Sequence, residues 1–224
     1  MSPPPSVWPF GRRHPPPHAG VGLPPARVDA LLRWKMNRWF DCLDADGDGR
    51  ITFHDYELAA LRAARAFSHR PGSREQRRLH ACFRKLWRRH EHEARRAGTA
   101  DGTPLTRDVF VTHMANALVE ERRSLLAAVN SLCCAMIDVA DEDGDNQVSE
   151  REYRVLLAAA FRLVSERDLR TAYRTLDRDA SGTLEHNEIH EAFVEFFSST
   201  DPAAQGNWLL GAPPPTPRQQ RGRY

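Results

Sequence analysis

The chain has 224 residues, of which 41% are hydrophobic and 28% charged, and its formal net charge is only +2. This length allows one compact domain or two small halves that share an interface, and the balanced charge gives no sign of a polyanionic partner. Segment 62–96 is nevertheless basic, with twelve Arg or Lys residues against three Glu. Such a segment can contact nucleic acid or acidic lipid, but solvated helix faces explain it more simply. We therefore predict neither a nucleic-acid partner nor a membrane partner.

Proline is concentrated near the two ends of the sequence. Nine of the 16 prolines lie in the first 25 residues, and we predict that residues 1–26 and 212–224 are disordered because proline-rich segments form neither helix nor packed core. The first residues lack the apolar stretch of a secretory signal. The longest apolar stretch, 125–140, is too short and too interrupted to span a membrane. The four cysteines include no C-x-x-C pair, and together these features predict a cytoplasmic protein with reduced thiols.

Between these ends, apolar residues recur at helical spacing in four segments, each of which leads into a short polar loop. The residues are Val28, Leu32, Met36, Trp39 and Leu43; Leu79, Cys82, Phe83 and Leu86; Leu125, Val129, Leu132, Met136 and Ile137; and Leu169, Ala172, Tyr173 and Leu176. No strong alternation of apolar and polar residues indicates a sheet. The sequence predicts an all-α fold, with very short strand pairs only where loops meet.

Three polar loops share a twelve-residue pattern of oxygen-bearing side chains. They are loop one, 44–55 (DADGDGRITFHD), loop three, 141–152 (DEDGDNQVSERE), and loop four, 177–188 (DRDASGTLEHNE), and they match or nearly match D-x-[DN]-x-[DN]-G-x5-E. Calcium takes six to eight oxygens at about 2.3–2.6 Å. Positions 1, 3 and 5 offer side chains, position 7 its carbonyl, and position 12 a carboxylate from the exiting helix. Three copies between helical segments predict three calcium sites.

The predicted ligands follow from these positions. They are Asp44, Asp46, Asp48, Arg50 (carbonyl) and Asp55 in loop one; Asp141, Asp143, Asp145, Gln147 (carbonyl) and Glu152 in loop three; and Asp177, Asp179, Ser181, Thr183 (carbonyl) and Glu188 in loop four. Position 6 needs a positive φ, which suits Gly49 and Gly182, and Asn146 is among the few other residues that tolerate it. These loops and their flanking helices resemble the EF-hand superfamily.

EF-hands normally occur in pairs, so loop one needs a partner. The best frame is loop two, 98–109 (GTADGTPLTRDV), in which Leu105 takes position 8 and Phe110 follows as position 13. Positions 1, 3, 5 and 12 carry no carboxylate, and Asp101 and Asp108 stand elsewhere in the loop. We predict a structural hand that pairs with loop one and binds no calcium.

The order of one active, one silent and two active hands resembles the calerythrin and sarcoplasmic calcium-binding protein family, as does segment 201–211 (DPAAQGNWLLG). The resemblance covers residues 28–211. It implies two EF-hand pairs, 27–120 and 121–200, packed into one compact globule, and a bacterial source. Because Trp208, Leu209 and Leu210 would be costly to expose, we predict that segment 201–211 folds back on the globule. We expect a monomer.

Loop one ends on Asp55 instead of Glu, which shortens the position-12 side chain by one methylene. Bidentate contact then requires the exiting helix to move closer, and monodentate contact in near-octahedral geometry favours magnesium. Two interpretations remain: a site that is weaker for calcium or shared with magnesium, and an ordinary calcium site.

Two functional hypotheses fit these features. The first is a calcium buffer or calcium-stabilised binding protein, in which the tail fills the groove that a sensor would offer to a target helix. The alternative is a sensor that opens an apolar groove, but the four methionines are few for such a surface. No nucleophile, phosphate or zinc-protease motif supports an enzyme. The pair His90 and His92 could hold a transition metal, although solvent-facing side chains are the simpler interpretation.

Overall fold

The structure is a computed structural model that describes residues 29–44 and 46–214. The predicted disordered arm, residues 1–26, and nearly all of the predicted tail from residue 212 lie outside these ranges. Within them the chain forms eight α-helices, four two-residue strands and one 3-10 helix. The elements are α1 Ala30–Leu43, β1 Arg50–Ile51, α2 Phe53–Ala66, α3 Arg74–Arg96, β2 Leu105–Thr106, α4 Arg107–Glu120, α5 Arg122–Ala140, β3 Gln147–Val148, α6 Glu150–Phe161, α7 Glu166–Leu176, β4 Leu184–Glu185, α8 His186–Ser198 and the 3-10 helix Gln205–Trp208. The all-α prediction is confirmed.

The loops meet in two short antiparallel bridges. Ile51 of loop one pairs with Leu105 of loop two, and Val148 of loop three pairs with Leu184 of loop four. All four are position-8 residues and all are buried. The bridge to Leu105 therefore establishes the register of loop two, and the predicted loop-to-loop bridges are confirmed.

The two hand pairs share one hydrophobic core. The indole of Trp39 on α1 packs edge to face against Phe161 of α6 and Phe197 of α8, with ring centroids 5.2 and 5.7 Å away. The amine of Lys35, also on α1, is fully buried and donates hydrogen bonds to the carbonyls of Glu195 (3.0 Å) and Ser199 (2.9 Å) at the end of α8. The Glu195 carbonyl also accepts the amide of Ser199 at 2.9 Å, so Lys35 gives this carbonyl a second donor and gives the Ser199 carbonyl, just beyond the helix, its donor. Helix α1 thus joins the first hand to the last.

Helix α5 is longer than its apolar pattern predicted, and by length and composition alone it could cross a membrane. Its position in the fold explains its apolar character. Val129, Leu132 and Cys133 have no exposed surface, and α5 packs between α3 and α8. A central core helix needs apolar residues on most of its circumference.

Segment 201–211 lies against the globule. Leu209 and Leu210 are each 2% exposed. The carbonyl of Leu210 accepts a hydrogen bond from Nε of Arg38 on α1 at 2.8 Å. At Gly206, a Cβ atom would lie 2.5 Å from the carbonyl oxygen of Ala192 on α8, so only glycine allows this close approach.

The structure corrects the interpretation of His90 and His92 as a solvent-facing pair. His92 is exposed, but His90 is only 2% exposed. The His90 ring stacks on Phe110 with centroids 4.8 Å apart and on His113 at 5.6 Å. Burial lowers the pKa of His90 to about 3, so the ring is neutral. His90 is a core residue of the first hand pair.

Candidate metal centres

Three clusters of carboxylates stand out among the described residues, one in each loop with the acidic pattern. In each cluster one oxygen per residue lies within 4.8 Å of the others. The clusters are Asp44, Asp46 and Asp48; Asp141, Asp143 and Asp145; and Asp177, Asp179 and Glu188. The position-12 residues Asp55 and Glu152 lie outside the clusters of their loops, whereas Glu188 is part of its own.

The position-1 carboxylate organises the backbone of each loop. In loop one, Asp44 accepts hydrogen bonds from the amides of Gly47 (3.0 Å) and Gly49 (3.1 Å). The equivalent bonds reach Asp141 from Gly144, Asp145 and Asn146, and Asp177 from Ser181 and Gly182. These bonds fold the loop around one point, and in loops one and three the carboxylates of positions 3 and 5 also lie close to that of position 1.

Position 6 has the expected positive φ, with values of 76° at Gly49, 61° at Asn146 and 88° at Gly182. Position 4 is also left-handed, which the sequence analysis missed. Its φ is 75° at Gly47, 78° at Gly144 and 56° at Ala180. The glycines at position 4 of loops one and three were the feature of the sequence that could have indicated this left-handed conformation. Ala180 adopts a conformation that costs a residue with a Cβ atom about 1 kcal/mol.

The position-12 carboxylate closes loops three and four. One oxygen of Glu152 accepts a bond from the amide of Glu142 (2.9 Å) at the start of the loop, and the other from the amide of Ser149 (2.8 Å). In loop four, Glu188 does the same with the amides of Arg178 (2.6 Å) and Glu185 (3.0 Å). Position 12 is therefore also the N3 residue of a helix-capping box.

In loop one, the described hydrogen bonds of the Asp55 side chain are with Thr52. Its Oδ2 accepts bonds from both the amide (2.8 Å) and the hydroxyl (2.9 Å) of Thr52. This completes a capping box at the start of α2. The residue equivalent to Glu142 and Arg178 is Ala45, which lies outside the described residues. The short side chain of Asp55 thus serves the helix cap, and its carboxylate lies outside the cluster of Asp44, Asp46 and Asp48.

The position-7 carbonyls belong to the bridging strands. Arg50 lies in β1, Gln147 in β3, and Thr183 directly precedes β4. Strand pairing fixes the peptide planes of Arg50 and Gln147, since their amide and carbonyl groups follow the register of the bridge. The side chains of Thr183 and Gln147 are also hydrogen-bonded to each other across loops three and four. The two loops of the second pair are therefore joined by a side-chain hydrogen bond as well as by the β3–β4 bridge.

The donor chemistry fits a hard divalent cation. The arginines next to ligands pair with other acids: Arg151 with Glu142 at 2.6 Å, and Arg178 with Glu191 at 3.2 Å. The clustered carboxylates lie close enough in each loop to repel each other. Burial raises the pKa of Asp44, and the Asp48 and Asp46 carboxylates add to the increase. A divalent ion held by these oxygens would relieve the repulsion, and all-oxygen ligation is what calcium and magnesium take.

Loop two differs from the three acidic loops in backbone as well as in side chains. Its positions 1 and 5, Gly98 and Gly102, have φ of 74° and 75°. At position 1 of the acidic loops φ is −67° (Asp44), −68° (Asp141) and −70° (Asp177). Asp101 is drawn out of the loop into an ion pair with Nε of Arg95 at 2.9 Å. The described loop has neither the ligands nor the turn of a calcium site.

Comparison with known proteins points to the same class of site. An EF hand model matches residues 36–58, and an EF-hand domain pair model matches residues 105–160. Calerythrin of Saccharopolyspora erythraea is 24% identical over 75% of this chain and 92% of its own length. The luciferin-binding protein of Renilla reniformis is 25% identical over 79% of this chain and 91% of its own.

Among solved structures, a Streptomyces coelicolor calcium-binding protein is 27% identical and covers 76% of this chain and 99% of its own, with a TM-score of 0.63. Where these relatives carry a function in their names, they are binding proteins, which agrees with the prediction of a non-enzymatic protein. The loops, the bridges and these matches lead to one conclusion: the chain is a calcium-binding EF-hand protein, and it is similar to calerythrin.

Proposed function

We propose that this protein is a monomeric, cytoplasmic calcium buffer or calcium-stabilised binding protein with three loop sites. The observation that carries the proposal is the packing of the tail, segment 201–211, against the second hand pair. Leu209 and Leu210 are buried against the second hand pair, and Tyr153 of that pair donates a hydrogen bond to the Leu209 carbonyl. A sensor would offer this apolar surface to a target helix. Here the chain itself covers it.

The interior beneath the tail supports the same proposal. The apolar cavity lined by Trp39, Met136, Tyr153, Phe193 and Leu209, among others, has a volume of about 30 Å³. Pockets for small organic ligands measure about 300–1,000 Å³. The Renilla relative is named for binding a luciferin, but a cavity of this size has no room for a comparable molecule. The ligand we propose is therefore the calcium ion alone.

Magnesium is part of the proposal at loop one. Asp55 offers a shorter side chain than Glu152 or Glu188, and one of its oxygens accepts both hydrogen bonds from Thr52. Monodentate contact from this position would lower the coordination number and favour the smaller ion. Loop one is then a mixed calcium and magnesium site, and loops three and four are calcium sites.

The alternative is a sensor, and the Streptomyces coelicolor relative favours it because it is described in terms of prokaryotic calcium-mediated regulation. The two functions differ in affinity and in exposed surface. Buffers bind calcium at about 10⁻⁹–10⁻⁸ M, and sensors at about 10⁻⁷–10⁻⁵ M. A sensor also gains apolar surface when calcium binds.

The test is a calorimetric calcium titration of the decalcified protein in a magnesium background, with apolar dye binding measured in parallel. A buffer gives nanomolar sites and little new dye binding. Micromolar sites with a large rise in dye fluorescence would favour the sensor. Glu188→Gln is the reference variant, since it should remove one calcium ion and leave the other sites countable.

A further inference from the structure

A second kind of metal donor, a thiol next to an imidazole, lies where the end of loop four packs against α5. Sγ of Cys134 on α5 is 3.6 Å from Nε2 of His186, the first residue of α8. Both side chains are reachable from solvent, in contrast to the fully buried neighbour Cys133. Helices α5 and α8 pack along each other, so the thiol and the imidazole are held together by the core and not by a flexible loop.

The separation of these atoms suits a shared ion. Zinc binds thiolate sulfur at about 2.3 Å and imidazole nitrogen at about 2.0–2.1 Å in tetrahedral geometry, which places the two ligand atoms about 3.5–3.6 Å apart. The observed Sγ–Nε2 distance therefore fits two ligands of one ion without movement of the backbone. In the absence of an ion, the same contact is a thiol-to-imidazole hydrogen bond.

A third donor stands one helical turn further along α8. His190 follows His186 at i+4, the spacing that puts two imidazoles on one helix face, as in helical zinc sites. His190 is partly exposed, and its ring does not form a three-donor group with Cys134 and His186 among the described residues, so coordination of a shared ion requires a rotamer change at His190. The thiol of Cys82, on the other side of Cys134, is engaged differently because it donates to the carbonyl of Ser131 at 3.3 Å.

We propose that Cys134, His186 and His190 form a surface site for a borderline transition-metal ion of the Zn²⁺ class. The ion replaces the thiol proton of Cys134, which passes to solvent, and water completes the tetrahedron. Sulfur and nitrogen donors select such ions over calcium and magnesium, which prefer oxygen. Because His186 lies within loop four and begins α8, the bound ion would join the start of this helix to α5.

The test uses Co²⁺ as a spectroscopic substitute for Zn²⁺ and the full chain saturated with calcium, so that the oxygen loops are already filled. A phosphine reductant keeps the thiols reduced. We expect a 1:1 thiolate-to-cobalt charge-transfer band with tetrahedral visible bands. Cys134→Ser should abolish the charge-transfer band, and His186→Asn and His190→Asn should each weaken cobalt binding at least tenfold.

Two matched controls separate this site from adventitious binding. Cys82→Ser changes a second partly exposed thiol, and His92→Asn changes an exposed imidazole on α3; both should leave the band unchanged. Variants are compared only after calorimetry gives each the calcium stoichiometry of the unsubstituted chain. No band in the unsubstituted protein, a band that survives Cys134→Ser, a band lost in Cys82→Ser, or unchanged binding in His190→Asn would overturn the three-residue site.

Discussion

The hydroxyl of Tyr153 donates a buried hydrogen bond of 2.9 Å to the backbone carbonyl of Leu209. Tyr153 directly follows Glu152, the position-12 residue of loop three, and so belongs to the turn of α6 that closes the loop. The next carbonyl, of Leu210, is bonded to Arg38 on α1. The tail therefore contacts both the helix that follows the acidic loop three and the first helix.

This contact predicts that Tyr153→Phe destabilises the calcium-loaded protein. The substitution keeps the ring but leaves the Leu209 carbonyl buried without its partner, which costs about 1–3 kcal/mol in the free energy of unfolding. Urea unfolding measures the change. Thr112→Ala is the control, since it removes an exposed hydroxyl bonded within its own helix, and it should change stability by less than about 0.5 kcal/mol. Equal effects of both substitutions would contradict the role of the tail contact.

Loop one gives a prediction about ion selectivity. Asp55→Glu adds the missing methylene and should raise the calcium affinity of this site and lower its preference for magnesium, because a bidentate carboxylate suits the larger ion. Calorimetric titrations with and without magnesium measure both changes. Glu188→Asp is the reciprocal control and should shift loop four in the opposite direction. If Asp55→Glu leaves affinity and selectivity unchanged, loop one is an ordinary calcium site.

Loop four gives a prediction about backbone strain. Ala180 has a φ of 56°, and a Cβ atom is disfavoured there. Ala180→Gly should stabilise the folded protein, by less than the roughly 1 kcal/mol of strain relieved, because glycine also increases the entropy of the unfolded chain. Thermal unfolding with excess calcium measures the effect. Gly144→Ala, at the same position of loop three, should destabilise the protein. A destabilised Ala180→Gly variant would show that the entropy term dominates.

Loop two should resist conversion into a calcium site. The combined substitution Gly98→Asp, Ala100→Asp, Gly102→Asp and Val109→Glu supplies the missing carboxylates. Two of these aspartates would have to adopt φ values near 75°, which L-residues adopt at a cost. We expect the calcium stoichiometry to stay the same as in the unsubstituted chain. A gain of one tightly bound ion would mean that the absence of ligands, and not the backbone, keeps this hand silent.

The buried histidines predict acid sensitivity. Burial lowers the pKa of His90 to about 3, and burial also lowers the pKa of His113. The unfolded chain takes up these protons below about pH 6.5 and the folded chain does not, so stability is lost as the pH falls below that value. His90 alone should cost about 1.4 kcal/mol between pH 7.5 and 5.5.

Urea unfolding at several pH values, with calcium saturating throughout, tests this prediction. His90→Phe should flatten the pH dependence even though it removes the imidazole that lies 3.3 Å from the Tyr56 hydroxyl. His92→Asn, at an exposed position, should keep the original slope. A slope that does not change in His90→Phe would assign the acid sensitivity to other groups.

The sequence by itself determined the parts of the protein that depend on neighbouring residues. The calcium loops could be found because their ligands are at fixed spacings within twelve residues, and each loop lies between helices with a clear apolar period. Loop two could also be placed, since Leu105 and Phe110 occupy the positions that bridge and anchor a hand. Local spacing is sufficient here because the side chains that form each acidic cluster and each helix cap lie only a few residues apart in the sequence.

The tertiary structure alone decided which distant residues meet. His90 has charged neighbours in sequence and was interpreted as exposed, yet the packing of α3 on α4 buries it against Phe110. Similarly, nothing in the local sequence indicates that Trp39 contacts Phe197, or that Cys134 contacts His186. These contacts depend on how whole helices pack to exclude water from one shared core, and that arrangement is a property of the assembled chain.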